Sequence, residues 1–256
     1  MSGILDAFRL DGKVAIVTGS ERGLGRGMAT ALAQAGADVV GVTYVDNAPE
    51  TAAAIQATGR KYVHVQANLS TLEPIPRIID KALLEFGHVD ILVNNAGIII
   101  RNDSVDFTES EWDDVMDINV KATFFMCQAV ARQFIKQGTG GKIVNVASML
   151  SFQGGIRVPS YTASKSGVKG ITMLMANEWA KHGINVNAIA PGYMATDNTT
   201  QLRADEQRSA EILGRIPAGR WGMPEDLGGV VVFLSSKASD YVTGYTVAVD
   251  GGWLAR

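Results

Sequence analysis

Cysteine is almost missing from this chain of 256 residues, and long hydrophobic runs are missing altogether. The single cysteine, Cys127, cannot form a disulfide within the chain, a pattern typical of proteins from a reducing compartment. The longest apolar runs, such as GGVVVFL, fall far short of the ~20 residues that a membrane span needs. The first residues lack the basic start and apolar stretch of a secretory signal. These absences predict a cytoplasmic protein with no membrane partner.

Basic runs and histidines are also scarce. The formal net charge is −3 and no stretch is rich in lysine and arginine, so we expect no nucleic-acid partner. The three histidines, His64, His88 and His182, are scattered without the spacing of a metal site, and no metal is predicted. Hydrophobic residues make up 46% of the chain, which is enough apolar material for a large core.

Short β-branched runs alternate with longer segments of helical periodicity. The predicted strands are 13–18, 38–44, 61–67, 89–95, 141–148, 184–190 and 245–250, and the main predicted helices are 23–36, 48–59, 72–87, 109–137 and 161–181. Apolar strands separated by helices indicate a parallel sheet covered on both faces. We therefore expect one α/β domain over 1–256, a Rossmann-type doubly wound sheet of about seven strands. Ser160 is the expected N-cap of the helix over 161–181, and the irregular loop region 191–224 is expected to cover the substrate.

A glycine-rich turn follows the first predicted strand. The sequence from Thr18 to Gly25 is TGSERGLG, and a helix is predicted to begin within it. Glycines allow a tight turn and a close approach of the backbone to a pyrophosphate, while a helix N-terminus offers free N–H groups. Glycine also serves many turns that bind nothing. The place of this turn after the first strand favours a dinucleotide site.

The end of the second strand bears on which dinucleotide is bound. An acidic residue there would hydrogen-bond the adenosine ribose and repel a 2′-phosphate. This chain has Thr43 and Tyr44 instead, and Asp46 comes a little late. Arg22 is suited to a 2′-phosphate, or is simply a solvated turn residue. The residues are compatible with both NAD and NADP.

Further features converge on one edge of the predicted sheet. NNAG at 94–97 follows the fourth strand, where open parallel sheets bind ligands. Asn119 lies within a predicted helix, where asparagine is a poor helix former. Ser148 ends the fifth strand, and Tyr161 and Lys165 lie four residues apart on one helix face. The alternative for this last pair is that both residues are ordinary surface residues of a helix with no functional role.

Together these motifs resemble the short-chain dehydrogenase/reductase family, over essentially the whole chain. The residues that carry the resemblance are the turn at 18–25, NNAG at 94–97, Asn119, Ser148, Tyr161 and Lys165 in Y-x-x-x-K, and PG at 191–192. The resemblance implies an NAD(P)-dependent enzyme that interconverts a secondary alcohol and a ketone. It also implies a homotetramer, with the apolar face of 115–130 at one interface. Trp253 and Leu254 would pack across a second interface or cap their own core.

The resemblance implies a role for each catalytic residue. Tyr161 would be the base in oxidation and the acid in reduction, although the unperturbed pKa of tyrosine, about 10, is high for a base at neutral pH. Lys165 would lower that pKa by its charge and hold the nicotinamide ribose. Ser148 would bind the substrate oxygen, and Asn119 would hold a water of the proton relay.

The implied cofactor contacts extend from the glycine-rich turn to the segment after the sixth strand. They are Gly19, Glu21, Arg22, Gly23, Leu24, Gly25, Thr43, Tyr44, Asn68, Leu69, Asn95, Ala96, Gly97, Tyr161, Lys165, Pro191, Gly192, Met194 and Thr196. Thr196 would meet the nicotinamide carboxamide, and Asn68 stands where an aspartate often contacts the adenine. The resemblance favours NAD, with NADP as the alternative.

The second half of the chain resembles a narrower branch of the family. Residues 145–167, 174–196, 202–222 and the ending DGGWLAR at 250–256 are similar to dehydrogenases of deoxy-hexonate sugar acids, of the 2-deoxy-D-gluconate and 2-dehydro-3-deoxy-D-gluconate type in pectin and uronate catabolism. The alternatives are a 3-oxoacyl or polyol reductase and a non-catalytic dinucleotide-binding regulator.

A sugar-acid substrate requires a cation and amide groups in its pocket. Arg157 and Gln153 lie in the segment between Ser148 and Tyr161, and Arg101 follows NNAG on the same edge of the sheet. Ser148, Gln153, Arg157 and Arg101 are therefore the predicted substrate contacts, and Arg157 is the preferred cation.

Overall fold

The computed structural model of the protein describes residues 3–256. Seven parallel strands form one sheet in the order β3-β2-β1-β4-β5-β6-β7. They are β1 Val14–Thr18, β2 Asp38–Thr43, β3 Tyr62–Gln66, β4 Ile91–Asn94, β5 Gly141–Val146, β6 Ile184–Pro191 and β7 Thr246–Val249. The α-helices are α1 Gly23–Gln34, α2 Pro49–Gln56, α3 Ile75–Phe86, α4 Glu109–Met116, α5 Thr123–Gln137, α6 Pro159–Trp179, α7 Thr200–Ala204, α8 Glu206–Arg215 and α9 Gly228–Ser235. This architecture confirms the predicted fold class.

The core is divided between the two faces of the sheet. Successive strand residues point to opposite faces, so Leu92 packs in one hydrophobic cluster and its neighbours Ile91 and Val93 pack in the other. The cluster around Leu92 contains buried residues of α3, α5 and α6, and the other contains those of α1 and α9. Both faces are covered, which explains why the central strands are apolar throughout. None of the helices within residues 3–256 has the length and apolar character that a membrane span requires.

The strand order reverses beside β1, and this reversal positions the site. The chain builds β2 and β3 outward on one side of β1 and then crosses back to place β4 on the other side. The connections after β1 and β4 therefore separate at their carboxyl ends and leave a crevice.

The helix predicted over 109–137 is not continuous. A π-helical turn, Asp117–Ala122, separates α4 from α5, and Asn119 lies within it. π-Helical turns are rare and are frequent at functional sites. The prediction of a regular helix was wrong here because the apolar spacing on either side gives no sign of one wider turn.

Two other local predictions were also wrong. α6 begins at Pro159 with Val158 as its N-cap, and Ser160 is buried inside the first turn, where its Oγ has no hydrogen-bond partner among the described residues. A proline at the first helical position lacks the N–H that a cap would satisfy, so the helix begins without a serine cap. The region 191–224 is more regular than predicted, because it contains α7 and α8.

Candidate active site

The glycine-rich turn leads from β1 directly into α1. Gly19 and Gly23 have φ values of +64° and +52°, a conformation that other residues adopt rarely. A side chain at Gly25 would overlap the carbonyl oxygen of Gly19 and lie 2.5 Å from Asn95 Nδ2. The glycine positions of the turn therefore carry no side chain where the N-terminus of α1 faces the crevice. This allows a phosphate to approach the backbone closely.

Asn95 holds the loop after β4 against this turn. Its Nδ2 donates hydrogen bonds to the carbonyls of Thr18 (3.0 Å) and Gly19 (2.9 Å). The backbone N–H groups of Asn95 and Ala96 both donate to Thr18 Oγ1 at 3.0 Å. These four bonds join the two loops at the point where the strand order reverses.

A cavity of about 1450 Å³ extends from the glycine-rich turn to α8. Its lining includes all of the predicted cofactor contacts and all four predicted substrate contacts. Among the predicted site residues, only Asn119 does not line it. The volume exceeds the roughly 300–1,000 Å³ of a typical small-ligand pocket, so the cavity has room for a dinucleotide and a second small molecule.

Tyr161 and Lys165 lie one turn apart on α6 and both line the cavity. Lys165 Nζ is 5.7 Å from the centroid of the Tyr161 ring and donates a hydrogen bond to the carbonyl of Val146 (2.6 Å). Burial lowers the pKa of the Lys165 ammonium to about 8. Burial also raises the pKa of the Tyr161 phenol above its usual value, and this effect outweighs the opposing effects of the Ser148 hydroxyl and the positive charge of Arg101.

The pKa of Tyr161 is shifted in the direction opposite to the predicted one. The net shift of the Tyr161 pKa is upward, and Lys165 is not among the groups that oppose it. An ammonium whose pKa is about 8 has already lost its proton at the pH where a buried phenol ionises. At neutral pH these shifts correspond to a neutral phenol beside an ammonium, a state in which the phenol has a proton to donate.

Asn119 is buried, and its side chain is engaged by other parts of the protein. Its Oδ1 accepts the backbone N–H of Ile98 (2.9 Å), and its Nδ2 donates to the carbonyl of Ile98 (2.9 Å) and to Ser164 Oγ (3.0 Å). Both side-chain N–H groups are used in this way. Asn119 therefore links the loop after β4 to α6, one residue before Lys165.

The adenosine end of the cavity contains no carboxylate at the end of β2 among its described lining residues. Thr43 and Tyr44 line it there, and Thr43 Oγ1 is bonded to the carbonyl of Val45 (2.7 Å) and lies 2.6 Å from His64 Nε2. Arg22 reaches across the cavity to Asp197, with 3.2 Å between Nη1 and Oδ2.

The opposite end of the cavity is rich in charged residues. Arg157 has a positive φ of 62°, and its Nε lies 2.9 Å from Asp103 Oδ1. Gln153 Oε1 accepts a hydrogen bond from Arg215 of α8 (3.3 Å). The preferred cation of the sequence prediction, Arg157, is therefore already paired with an acid.

One face of α8 was missed by the sequence prediction. Arg208, Glu211, Ile212 and Arg215 all line the cavity at helical spacing. That spacing is visible in the sequence, but the surrounding charges are typical of a solvated helix. Trp253 is buried within its own chain, in a cluster with Ile212 and other apolar residues.

Known proteins share this sequence and architecture. The sequence pattern of the short chain dehydrogenase family matches residues 13–207. The 2-dehydro-3-deoxy-D-gluconate 5-dehydrogenase of Escherichia coli strain K12 is 68% identical over 253 residues, 99% of this chain and 100% of that protein.

Two solved structures are similar over nearly the full length. One, from Agrobacterium tumefaciens with bound NADP, is provisionally assigned as a 2-deoxy-D-gluconate 3-dehydrogenase; it has a TM-score of 0.92 and 53% identity, and covers 98% of this chain and 100% of its own. The other, a gluconate 5-dehydrogenase from Burkholderia cenocepacia J2315 in complex with NADP and tartrate, has a TM-score of 0.94 and 38% identity, with coverage of 99% and 100%. The chain belongs to the short-chain dehydrogenase family.

Proposed function

We propose that the protein is an NAD(P)-dependent dehydrogenase that interconverts a secondary alcohol and a ketone on a deoxy-hexonate sugar acid. The observation that carries the proposal is a single cavity that joins a bare glycine-rich turn to Ser148, Tyr161 and Lys165 and then to a cluster of arginines. The 68% identical relative from Escherichia coli, named a 2-dehydro-3-deoxy-D-gluconate 5-dehydrogenase, supports this substrate class.

The lining residues fit a nicotinamide dinucleotide. The glycine turn before α1 accommodates a pyrophosphate. Pro191 at the end of β6, and Gly192, Met194 and Thr196 after it, line another part of the cavity. When bound, the nicotinamide ring supplies a hydride in reduction and accepts one in oxidation. We propose NAD as the coenzyme, with NADP also accepted. No described carboxylate at the end of β2 lines the cavity to repel a 2′-phosphate, and both solved relatives contain NADP.

Reduction of a ketone adds a hydride to the carbonyl carbon and a proton to its oxygen. We assign the proton to the phenol of Tyr161, because its raised pKa keeps it protonated at neutral pH. Ser148, beside Tyr161, would hydrogen-bond the same oxygen. The ammonium of Lys165 would stabilise the phenolate left after transfer, and oxidation would follow the same steps in reverse. In this proposal Asn119 positions α6 and the loop after β4, since its side-chain N–H groups are already bonded.

The same proposal includes the wider organisation. Residues 1–256 would act as one domain, with the region 191–224 over the substrate, and Arg101, Gln153 and Arg157 beside Ser148 as substrate contacts. The positive charge of Arg101 opposes the rise in the pKa of the Tyr161 phenol, which supports a role for Arg101 near the reacting group. The assembly would be a homotetramer, on the family resemblance, and the location would be cytoplasmic, on the single cysteine.

Addition of 2,5-diketo-3-deoxygluconate with NADH or NADPH tests this function. We expect the parent protein to consume reduced coenzyme, and Tyr161→Phe to lose roughly 10²–10⁴-fold in kcat, the usual contribution of a general acid. Coenzyme affinity, measured by fluorescence titration, should stay nearly intact in Tyr161→Phe. Turnover of acyl thioesters or simple polyols alone would identify a 3-oxoacyl or polyol reductase. Coenzyme binding without any turnover would indicate a regulator.

A further inference from the structure

Among the described residues, five arginines line the cavity, and three of them are paired with acids. Arg22 pairs with Asp197, Arg157 with Asp103, and Arg208 with Glu211, at 3.2, 2.9 and 2.9 Å. The positive charge of the fourth, Arg101, acts to lower the pKa of the Tyr161 phenol. Three of these five guanidinium charges are therefore already paired with carboxylates of the protein.

Arg215 differs from the other four. It forms no ion pair with any residue of the described part of the chain, 3–256, although it lines the same cavity. Its guanidinium carbon lies 3.9 Å from the centroid of the Trp253 ring, and its Nη2 donates one hydrogen bond to Gln153 Oε1 (3.3 Å). Both of these partners are neutral, so they position the guanidinium without supplying a negative charge. A guanidinium has five N–H donors, so donors remain for an anionic ligand.

The neighbours of Arg215 connect it to the reacting end of the cavity. Gln153 belongs to the segment that follows Ser148. Trp253, under the guanidinium, packs in a cluster with Met149, the residue next to Ser148. Arg215 is thus fixed relative to the proposed proton-transfer residues, at the α8 side of the cavity.

We propose that Arg215 binds the carboxylate of the substrate, and that Gln153 and Trp253 position its side chain for this task. The planar fork of a guanidinium matches a carboxylate and forms charge-assisted hydrogen bonds with it. Binding at this point would hold a sugar acid with its carboxylate towards α8 and its reacting carbon towards Tyr161. The inference rests on the proposed sugar-acid function and names the residue that selects for the acid.

Arg215→Gln tests the assignment, with Arg215→Lys as the conservative variant and Arg132→Gln as the matched control. Arg132 is an exposed arginine of α5 that does not line the cavity. We expect KM for 2,5-diketo-3-deoxygluconate to rise at least about tenfold in Arg215→Gln, because a hydrogen bond to a charged group contributes affinity of that order. Arg215→Lys should recover part of the loss, while kcat and the coenzyme KM should change little. Arg132→Gln should match the parent.

The methyl ester of the same diketo acid provides a second measurement that needs no variant. The parent should prefer the acid to the ester in kcat/KM, and Arg215→Gln should lose this preference. Equal use of acid and ester by the parent, or a KM for the acid within about twofold of the parent in Arg215→Gln, would overturn the assignment while leaving the sugar-acid function intact. Failure of the parent to reduce any sugar acid would instead refute the proposed function itself.

Discussion

Burial favours the neutral form of both Tyr161 and Lys165, although the two groups ionise with opposite charge. It raises the pKa of the phenol and lowers that of the ammonium from 10.5 to about 8. For Lys165 the unfolded chain binds more protons than the folded one between these two values. Its contribution to the free energy of unfolding therefore increases as the pH rises from about 8 to 10.5. The same pKa places a change of charge in the active site just above neutral pH.

We predict that kcat/KM for ketone reduction falls as the pH rises through about 8. Above that pH Lys165 loses the charge that stabilises the phenolate of Tyr161 after proton transfer, and kcat/KM reports the ionisation of the free enzyme. A pH–rate profile from about pH 6 to 10 measures this. Lys165→Met should have a lower kcat and no decline centred near pH 8. A parent profile that stays flat through this range would show that the charge of Lys165 is not needed for the transfer.

The sequence predicts which residues form the site better than it predicts their ionisation. Tyr161, Lys165 and Ser148 follow from their motif and spacing, and the structure places all three along one cavity. The direction of the Tyr161 shift does not follow from the motif, because it depends on how much packing surrounds the phenol. The lack of an acidic partner for Arg215 among the described residues could not be predicted from the sequence either. It depends on which residues the fold brings close to the guanidinium.

Among the elements, α8 carries the newly identified cavity face and is fixed at both ends by side chains. At its start Asp205 accepts the backbone N–H of Arg208 (2.9 Å). At its end Arg256 donates hydrogen bonds to the carbonyls of Gly214 (2.8 Å) and Arg215 (3.1 Å). The last carbonyls of a helix lack partners within the helix, so a cation there satisfies them and interacts favourably with the helix dipole.

We predict that Arg256→Ala loosens the end of α8 and raises KM for the sugar acid a few-fold, with no change in KM for the coenzyme. The reason is that Arg215 is the last residue of α8, and its backbone loses a direct hydrogen bond. In Arg256→Ala, backbone hydrogen–deuterium exchange in residues 206–215 should be faster than in the parent protein. Exchange in α6 should be the same in both. Arg132→Ala, which removes an exposed arginine elsewhere, should leave both measurements unchanged. Unaltered exchange in α8 would mean that Arg256 does not hold this helix.

Strands and helices differ in how far the sequence predicted them. The strands are found within two residues of their predicted bounds, because buried parallel strands are short apolar runs. The π-helical turn at Asn119 was not predictable from periodicity, although the unfavourable asparagine did mark the position. Within this turn Asn119 forms hydrogen bonds to Ile98 and Ser164, which are distant in sequence and are not visible to a periodicity argument.

At the scale of the whole molecule, the cavity is formed by segments that are far apart in the chain. The turn after β1 and the segment after β6 meet across it through Arg22 and Asp197, 175 residues apart in sequence. Both side chains are mostly exposed, at 65% and 71% of their surface. An exposed ion pair of this kind contributes little to stability, so Arg22 can exchange Asp197 for another anion at small cost. The reversal of strand order that brings these segments together was predictable, but this pairing was not.

We predict that Arg22→Ala lowers kcat/KM with NADPH roughly tenfold more than with NADH, because only NADPH carries a 2′-phosphate for the guanidinium to bind. Asp197→Asn should have the opposite effect, since it releases Arg22 from its acidic partner and should raise the ratio of kcat/KM with NADPH to that with NADH. Steady-state rates with both coenzymes at one fixed ionic strength would measure the two ratios, because salt weakens exposed ion pairs. If neither substitution changed the ratio, Arg22 would be a solvated residue of the turn, and coenzyme choice would depend on Thr43 and Tyr44 at the end of β2.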